Sequence, residues 1–504
     1  MSMSTREQWG TRAGFVLAAI GSAIGLGNIW RYPYVLYENG GGSFLIPYFF
    51  ALFTAGIPIL LLEFWIGHRY RKAAPYALRD LARGWSWLGW WPAMVCFVIV
   101  TYYAVVLAWA LSYMYFSFGL QWGDDTKAFL FGNFLKLTDS PSVVGGLQWH
   151  IVLPVVIVWA IVFFYVYRGV RKGIERANKV MIPLLLVMIA IVVFRGVTLP
   201  GAMDGLNHLL TPDFSTLANP QVWIAAYSQV FFSLSIAFGV MITYASYLPK
   251  RADINNSAFI TGLANSGFEF FAALGVFGAI GFLAHVQGAD VKDVASAGPG
   301  LAFVVFPKII SELPALNELF GVLFFGALVL AGLTSAISLV EVSIAAVMEK
   351  FSWSRQKAAS IVCGAAFVGS LVYTTGGGLY YLDIVDHFIN AFGGLLVGLL
   401  EVILVGWVVK KTAEARAYTN TMSDFAIGSW WDFCVRYVTP IVLGAMTLLN
   451  LVKEFREPYE GYPLWALLTL GAGVAAAALI VSVAFHLSDA RNLKPVSHGK
   501  QEGM

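Results

Sequence analysis

Charge is scarce in this sequence. Only 12% of its 504 residues are charged and 59% are apolar, whereas an ordinary soluble domain carries about a quarter charged. That composition excludes an ordinary soluble globular fold. Cysteine is scarcer still: Cys96, Cys363 and Cys434 each lie in or beside an apolar stretch, so no disulfide framework is indicated and they read as small buried hydrophobes. Catalytic signatures are missing too. Neither His-Glu-x-x-His nor Gly-x-Ser-x-Gly occurs, which argues against an intramembrane enzyme, and the absence of a Walker A loop argues against an ATP-driven pump.

Long apolar runs stand where charge is missing. About twelve are long enough to cross a ~30 Å hydrocarbon core as helices. They fall at 13–37, 43–68, 88–118, 149–168, 176–196, 221–247, 256–285, 319–349, 357–374, 383–410, 432–453 and 462–487. The polar segment 1–12 precedes a run with no cleavage site behind it, so the first run reads as a retained anchor. Lys and Arg concentrate in alternate loops, for example Arg69 to Arg83, Arg168 to Lys179 and Lys410 to Arg416. The positive-inside rule makes those loops and both termini cytoplasmic. The net charge of +3 therefore reports topology and not nucleic-acid binding. The one Asn-x-Ser/Thr match, Asn255-Asn256-Ser257, falls on a loop of the cytoplasmic set, and with no disulfides expected, a bacterial inner membrane is the better reading.

Two runs are interrupted. Gly21-Ser22-Ala23-Ile24-Gly25-Leu26-Gly27-Asn28 places three glycines and an asparagine inside the first run, and Phe231 to Gly239 places two serines and a glycine inside the sixth. Unwound backbone at membrane depth is tolerated where it lines a cavity. Two interruptions five spans apart form the pattern of a transporter built from inverted repeats, with its site between them. The expected fold is all-α: an amino-terminal segment 1–12, a core 13–410 of ten spans, two further spans and their loop at 411–487, and a tail 488–504 that looks disordered.

The ordered motifs Arg6-Glu7-Gln8-Trp9, Gly25-Leu26-Gly27-Asn28-Ile29-Trp30-Arg31-Tyr32-Pro33, Glu38-Asn39-Gly40-Gly41-Gly42-Ser43-Phe44, Tyr102-Tyr103, Tyr244-Ala245-Ser246-Tyr247, Asn265 with Glu269, Ala331-Gly332-Leu333-Thr334-Ser335 and Asp386 resemble the neurotransmitter:sodium symporter family. The resemblance implies two sodium sites. One is Ala23 carbonyl, Asn28, Ser233 and Asn265 with the substrate carboxylate; the other is the carbonyls of Gly21, Ile24 and Ala331 with the hydroxyls of Thr334 and Ser335. The carboxylate of a zwitterionic substrate would lie at the half-helix start near Gly25 and Gly27, where free N–H groups point, and at Tyr103. The carbonyls of Ala23, Phe232 and Ser233 would take its ammonium, and Ser22, Ile99, Phe232, Ser235, Phe238, Ser335 and Leu339 would line its pocket. Family members that carry monoamines have an aspartate where this chain has Gly25, so a neutral, apolar amino acid is implied. Another small zwitterion (a betaine, an imino acid, a taurine-like solute) is the alternative, and a sodium-responsive sensor or channel the more distant one.

Glu269 looks like the carboxylate that replaces chloride, which implies chloride independence and leaves proton counter-transport open; a neutral Glu269 bonded to Gln229 or Tyr48 is the structural alternative. By the same resemblance Arg31 with Asp386 would gate the outside, and Arg6 with Glu349, supported by Trp9 and Tyr247, the inside. Gly173 and Pro183 are spaced as in a segment that unwinds to hydrate the second sodium site. Other readings stay open: Gly21-x-x-x-Gly25 also fits helix packing, Thr334 and Ser335 also fit bonding to their own preceding turn, and Glu63, Glu341 and Glu401 read as bonding helix ends or cavity water. Partners are sodium, the solute and lipid; the oligomeric state is open, as is the choice between dimer contact and lipid for the last two spans.

Overall fold

An apolar run in lipid satisfies its backbone N–H and C=O groups only within itself, so each run becomes a helix. The computed structural model describes residues 7–492. Ten of its helices are long and apolar enough to cross a membrane: Gly41–Tyr70, Ser86–Phe116, Trp149–Tyr167, Val170–Val197, Ile254–Gln287, Asn317–Phe351, Arg355–Thr374, Gly378–Val408, Ser429–Gly461 and Leu464–Asp489. Arg12–Ala23 and Leu26–Glu38 make one more, bent by 56° at its break. Pro220–Ser233 and Val240–Ala245 stand where the sixth span is expected, each half too short to cross alone. The protein is an all-α, multi-pass membrane fold. Numbered in chain order, the third span, Ser86–Phe116, and the eighth, Asn317–Phe351, pack along each other at its centre.

Most boundaries lie within a few residues of the apolar runs. The fifth span begins earlier, at Val170, because a π-helical turn over Val170–Ile174 takes Arg171 and Lys172 into the helix. Gly173 is in that turn, and a side chain there would collide with the Tyr165 carbonyl of the fourth span. The Asn255-Asn256-Ser257 match is not on a loop. It opens helix Ile254–Gln287, with Asn255 buried and its amide donating to Asn420 Oδ1 and the Phe425 carbonyl, both at 2.9 Å. All three cysteines are free and buried.

The two breaks have different local causes. In the first span Ile24 and Gly25 are extended (ψ 101° and −167°), and the Asn28 side chain caps the second half by accepting from Gly25 N at 2.8 Å. In the sixth span Ser235, Ala237 and Gly239 have φ of 50°, 66° and 69°. For serine and alanine that left-handed conformation costs about 1–2 kcal/mol each, and neighbours hold it: Ala237 N donates to Glu63 Oε1 of the second span at 2.5 Å, Ser235 Oγ to the Ser22 carbonyl at 2.9 Å, and Cys96 Sγ to the Phe238 carbonyl at 3.2 Å.

The eleventh and twelfth spans are peripheral, with 22% and 28% of their apolar windows buried against 72% and 83% for the third and eighth. The twelfth is nonetheless tied to the core at one end. Lys350 Nζ donates to the Phe485 carbonyl, Ser488 Oγ and Asp489 Oδ1 at 3.0, 2.7 and 2.8 Å, and Ser86 bonds His486 at 2.7 Å.

Candidate functional site

The breaks release backbone groups that an intact helix would use. Asn28 N bonds the Gly25 carbonyl at 3.3 Å instead of reaching back four residues, so the Ile24 carbonyl is freed. Ser335 Oγ on the eighth span points at it from 3.3 Å, and at the Gly21 and Ser22 carbonyls from 3.5 and 3.2 Å. Thr334 Oγ1 bonds the Ala331 carbonyl at 2.9 Å and the Leu330 carbonyl at 3.3 Å, the preceding turn of its own helix. Gly21, Ile24 and Ser335 thus meet directly, with Thr334 and Ala331 beside them. Gly21 also packs: a side chain there would strike Asn178 and Ile182 of the fifth span.

A second polar cluster lies on the other side of the break. Asn28 Nδ2 donates to Asn265 Oδ1 at 2.9 Å and Ser233 Oγ at 3.3 Å, and Asn265 Nδ2 donates to Ser233 Oγ at 2.5 Å. All three are buried. The amide N–H groups are thereby occupied while the oxygens keep acceptor capacity, a neutral, hard-oxygen set of the kind a sodium ion takes. Ala23 is buried alongside. One turn beyond Asn265, Glu269 faces Ser233 and accepts from Tyr48 Oη at 2.5 Å and Gln229 Nε2 at 2.8 Å.

Around the first break, burial is incomplete. Gly25, Gly27, Tyr103, Phe232 and Ser235 keep partial exposure among buried neighbours. A side chain on Gly25 would meet Ser335 Oγ and Tyr103 Oη, each at 3.2 Å, while Gly27 faces nothing within 4 Å. Leu26 N donates to Tyr103 Oη at 3.4 Å. Ile99 is one turn before Tyr103, and Leu339 one turn after Ser335, each on its partner's helix face. Phe238 closes one side against Gly394. Ser22 Oγ bonds Ser338 Oγ at 2.8 Å and so leans toward the eighth span. No acidic or basic side chain belongs to this set.

The residues expected to act as gates are paired differently in the structure. Arg31 is exposed, with its guanidinium 5.2 Å from the Phe232 ring centre. It forms no ion pair with Asp386, which accepts instead from Tyr102 Oη at 2.6 Å and Asn390 Nδ2 at 2.9 Å. At the other expected gate Arg6 lies outside the described residues. Glu349 accepts from Ala73 N at 2.8 Å, and Trp9 donates its indole N–H to the Tyr244 carbonyl at 2.8 Å and its backbone N–H to the Tyr247 carbonyl at 3.1 Å. Here the structure adds residues that sequence reasoning missed. Arg355 forms a fork with both Glu341 oxygens at 2.8 Å and reaches Glu7 Oε1 at 2.8 Å, while Tyr247 Oη donates to Glu341 at 2.6 Å. Glu341 therefore pairs with a buried arginine; it does not cap a helix end. Burial depth was the only signal in the sequence, and it named no partner.

The family model of the sodium:neurotransmitter symporters matches residues 6–128 and 120–491. An uncharacterised sodium-dependent transporter of Methanocaldococcus jannaschii is 44% identical over 483 residues, 96% of this chain and 98% of that protein. The sodium- and chloride-dependent taurine transporter of Rattus norvegicus is 31% identical over 520 residues, 94% of this chain and 83% of its own length. A sodium- and chloride-dependent GABA transporter of the same animal is 32% identical over 534 residues, covering 97% and 87%.

Proposed function

The chain belongs to the sodium:neurotransmitter symporter family, and we propose that this sodium-dependent transporter imports a neutral, apolar amino acid by alternating access, using two sodium sites and no chloride. The observation that carries this reading is the pair of oxygen clusters flanking the side-chain-free break at Gly25. Asn28, Ser233 and Asn265 with the Ala23 carbonyl would hold one sodium, and Gly21, Ile24, Ala331, Thr334 and Ser335 the other. The substrate's carboxylate would enter between Tyr103 and the N–H groups after Gly25, against the positive end of the second half-helix. Neither ion nor zwitterion is well compensated alone in a desolvated site, so each raises the other's affinity by the same factor. With glycine at position 25 the substrate must bring its own carboxylate.

Glu269 would supply the negative charge that chloride provides elsewhere, beside the Asn265 cluster. The face rich in Lys and Arg is taken as cytoplasmic in a bacterial inner membrane. On that orientation the Arg355 cluster with Trp9 closes the inside, and Arg31 and Asp386 meet to close the outside after binding. The names of the taurine and GABA relatives favour a second reading, in which the same site takes another small zwitterion. Proteoliposome uptake under an inward sodium gradient, with gluconate replacing chloride, tests both. Accumulation of a neutral amino acid that is lost in potassium and kept in gluconate supports the proposal. Accumulation of taurine, GABA or a betaine alone transfers the assignment to the second reading.

A further inference from the structure

The start of the fifth span carries more positive charge than the protein neutralises. A cleft of about 320 Å³ is walled by Gly10, Thr11, Glu175 and four cations, Arg171, Lys172, Arg176 and Lys179. An adjoining cleft of about 190 Å³ shares Arg171 and Lys172 and adds Arg168. The carboxylates of these walls are already engaged. Glu175 accepts from Gly10 N at 2.6 Å, Thr11 Oγ1 at 2.9 Å and Lys179 Nζ at 2.6 Å. Glu7 accepts from Arg355 and from Val170 N, both at 2.8 Å. Arg171, Lys172 and Arg176 are exposed, and none has an ion-pair partner among the described residues.

The cleft also adjoins the apolar part of the fifth span. That helix runs from Val170 to Val197, longer than a ~30 Å core requires, so its basic first turns can stand at the headgroup level while the uncharged stretch from Val180 lies in the core. On the fifth span the exposed side chains Val180, Leu184, Val187 and Ile191 recur at helical spacing on one face. Arg176 stands one turn before Val180 and continues that stripe to the cleft. An apolar track that ends in a cluster of unneutralised cations matches a molecule with an acyl chain and a phosphate.

We propose that this cleft binds the headgroup of an anionic phospholipid of the leaflet on the basic face, with an acyl chain along Val180, Leu184, Val187 and Ile191. Arg171 and Arg176 supply forked donors for phosphate oxygens, Lys172 adds a point charge, and the Gly10-Thr11 wall connects the bound headgroup to the segment that latches the first span onto Glu175. The rival explanation is the diffuse attraction of any basic loop for an anionic leaflet, which would make every cluster of three cations equivalent.

Native mass spectrometry of the full chain in detergent separates the two, by titration with phosphatidylglycerol and with phosphatidylcholine of the same acyl chains. The variant Arg171→Gln/Lys172→Gln/Arg176→Gln is expected to bind phosphatidylglycerol about a hundredfold more weakly, about fivefold for each cation removed, with phosphatidylcholine binding unchanged. The charge-matched Arg83→Gln/Lys250→Gln/Arg251→Gln and the charge-retaining Arg171→Lys/Arg176→Lys should both keep binding, the second showing that the cleft still folds. Equal loss in the charge-matched variant, or equal affinity for the two lipids, overturns the proposal. So does inorganic phosphate if it displaces phosphatidylglycerol at millimolar concentration, because the site would then be one for a soluble anion.

Discussion

Two groups of charged and aromatic residues in this protein are built from the same residue types and pair differently. On the face rich in Lys and Arg, Arg355 is desolvated between Glu341 and Glu7, and the Trp9 ring stands edge-on to Tyr244. On the opposite face Arg31 stays exposed over Phe232, and Asp386 is satisfied by Tyr102 and Asn390. A buried ion pair cannot be parted without stranding charge in a low-dielectric interior. A solvated pair exchanges its partner for water at little cost. The Arg355 pair is therefore held closed by burial, whereas Arg31 and Asp386 are not joined to each other; Gly25, Tyr103 and Phe232 keep partial exposure.

Breaking the Arg355 pair should give the largest effect. Arg355→Gln leaves Glu341 buried without its counter-charge and is expected to destabilise the closed fold by about 3–5 kcal/mol; a lower melting temperature, with cysteine labelling of the site from the basic face, checks it. Glu269→Ser touches neither group but changes the ion requirement: uptake should cease in gluconate and return in chloride, measured by the same liposome assay. Asn265→Ala removes one oxygen of the Asn28, Ser233 and Asn265 cluster and leaves the Asn28 amide N–H without its Oδ1 acceptor. Sodium affinity should fall by about 1–3 kcal/mol, read as a weaker sodium-dependent rise in melting temperature. Gly25→Ala places a methyl 3.2 Å from Ser335 Oγ and Tyr103 Oη, which should weaken substrate binding by about 1–3 kcal/mol in scintillation-proximity binding. Asp386→Asn sharpens the comparison from the side of the unjoined group. It should leave stability within about 0.5 kcal/mol while slowing uptake; a large stability loss would mean that the two groups are not so different.

How far the sequence reaches can be judged residue by residue. Glycine and serine inside apolar runs located both breaks, because backbone cost at membrane depth is a local property. Asn28 and Asn265 were legible as amides at membrane depth that need partners, whereas Ser335 taken alone also fitted bonding to its own preceding turn. The sixth-span geometry was only half legible: Gly239 suits a positive φ, but Ser235 and Ala237 adopt it because Glu63 and Ser22, remote in sequence, hold them there. The fifth span's early start was missed because Arg171 and Lys172 read as loop until a π-turn carried them into the helix.

The Arg355 and Glu341 pair was the least legible feature. Glu341 and Arg355 are fourteen residues apart across a turn, and Tyr247 is ninety-four residues from Glu341. By itself the sequence determined the membrane class, the number of spans to within the broken pair, and the depth at which polar groups must find partners, since hydropathy and backbone satisfaction are set along the chain. Only the tertiary structure decided which buried charges meet, because ion-pair energies depend on distance and burial that arise only when remote helices pack.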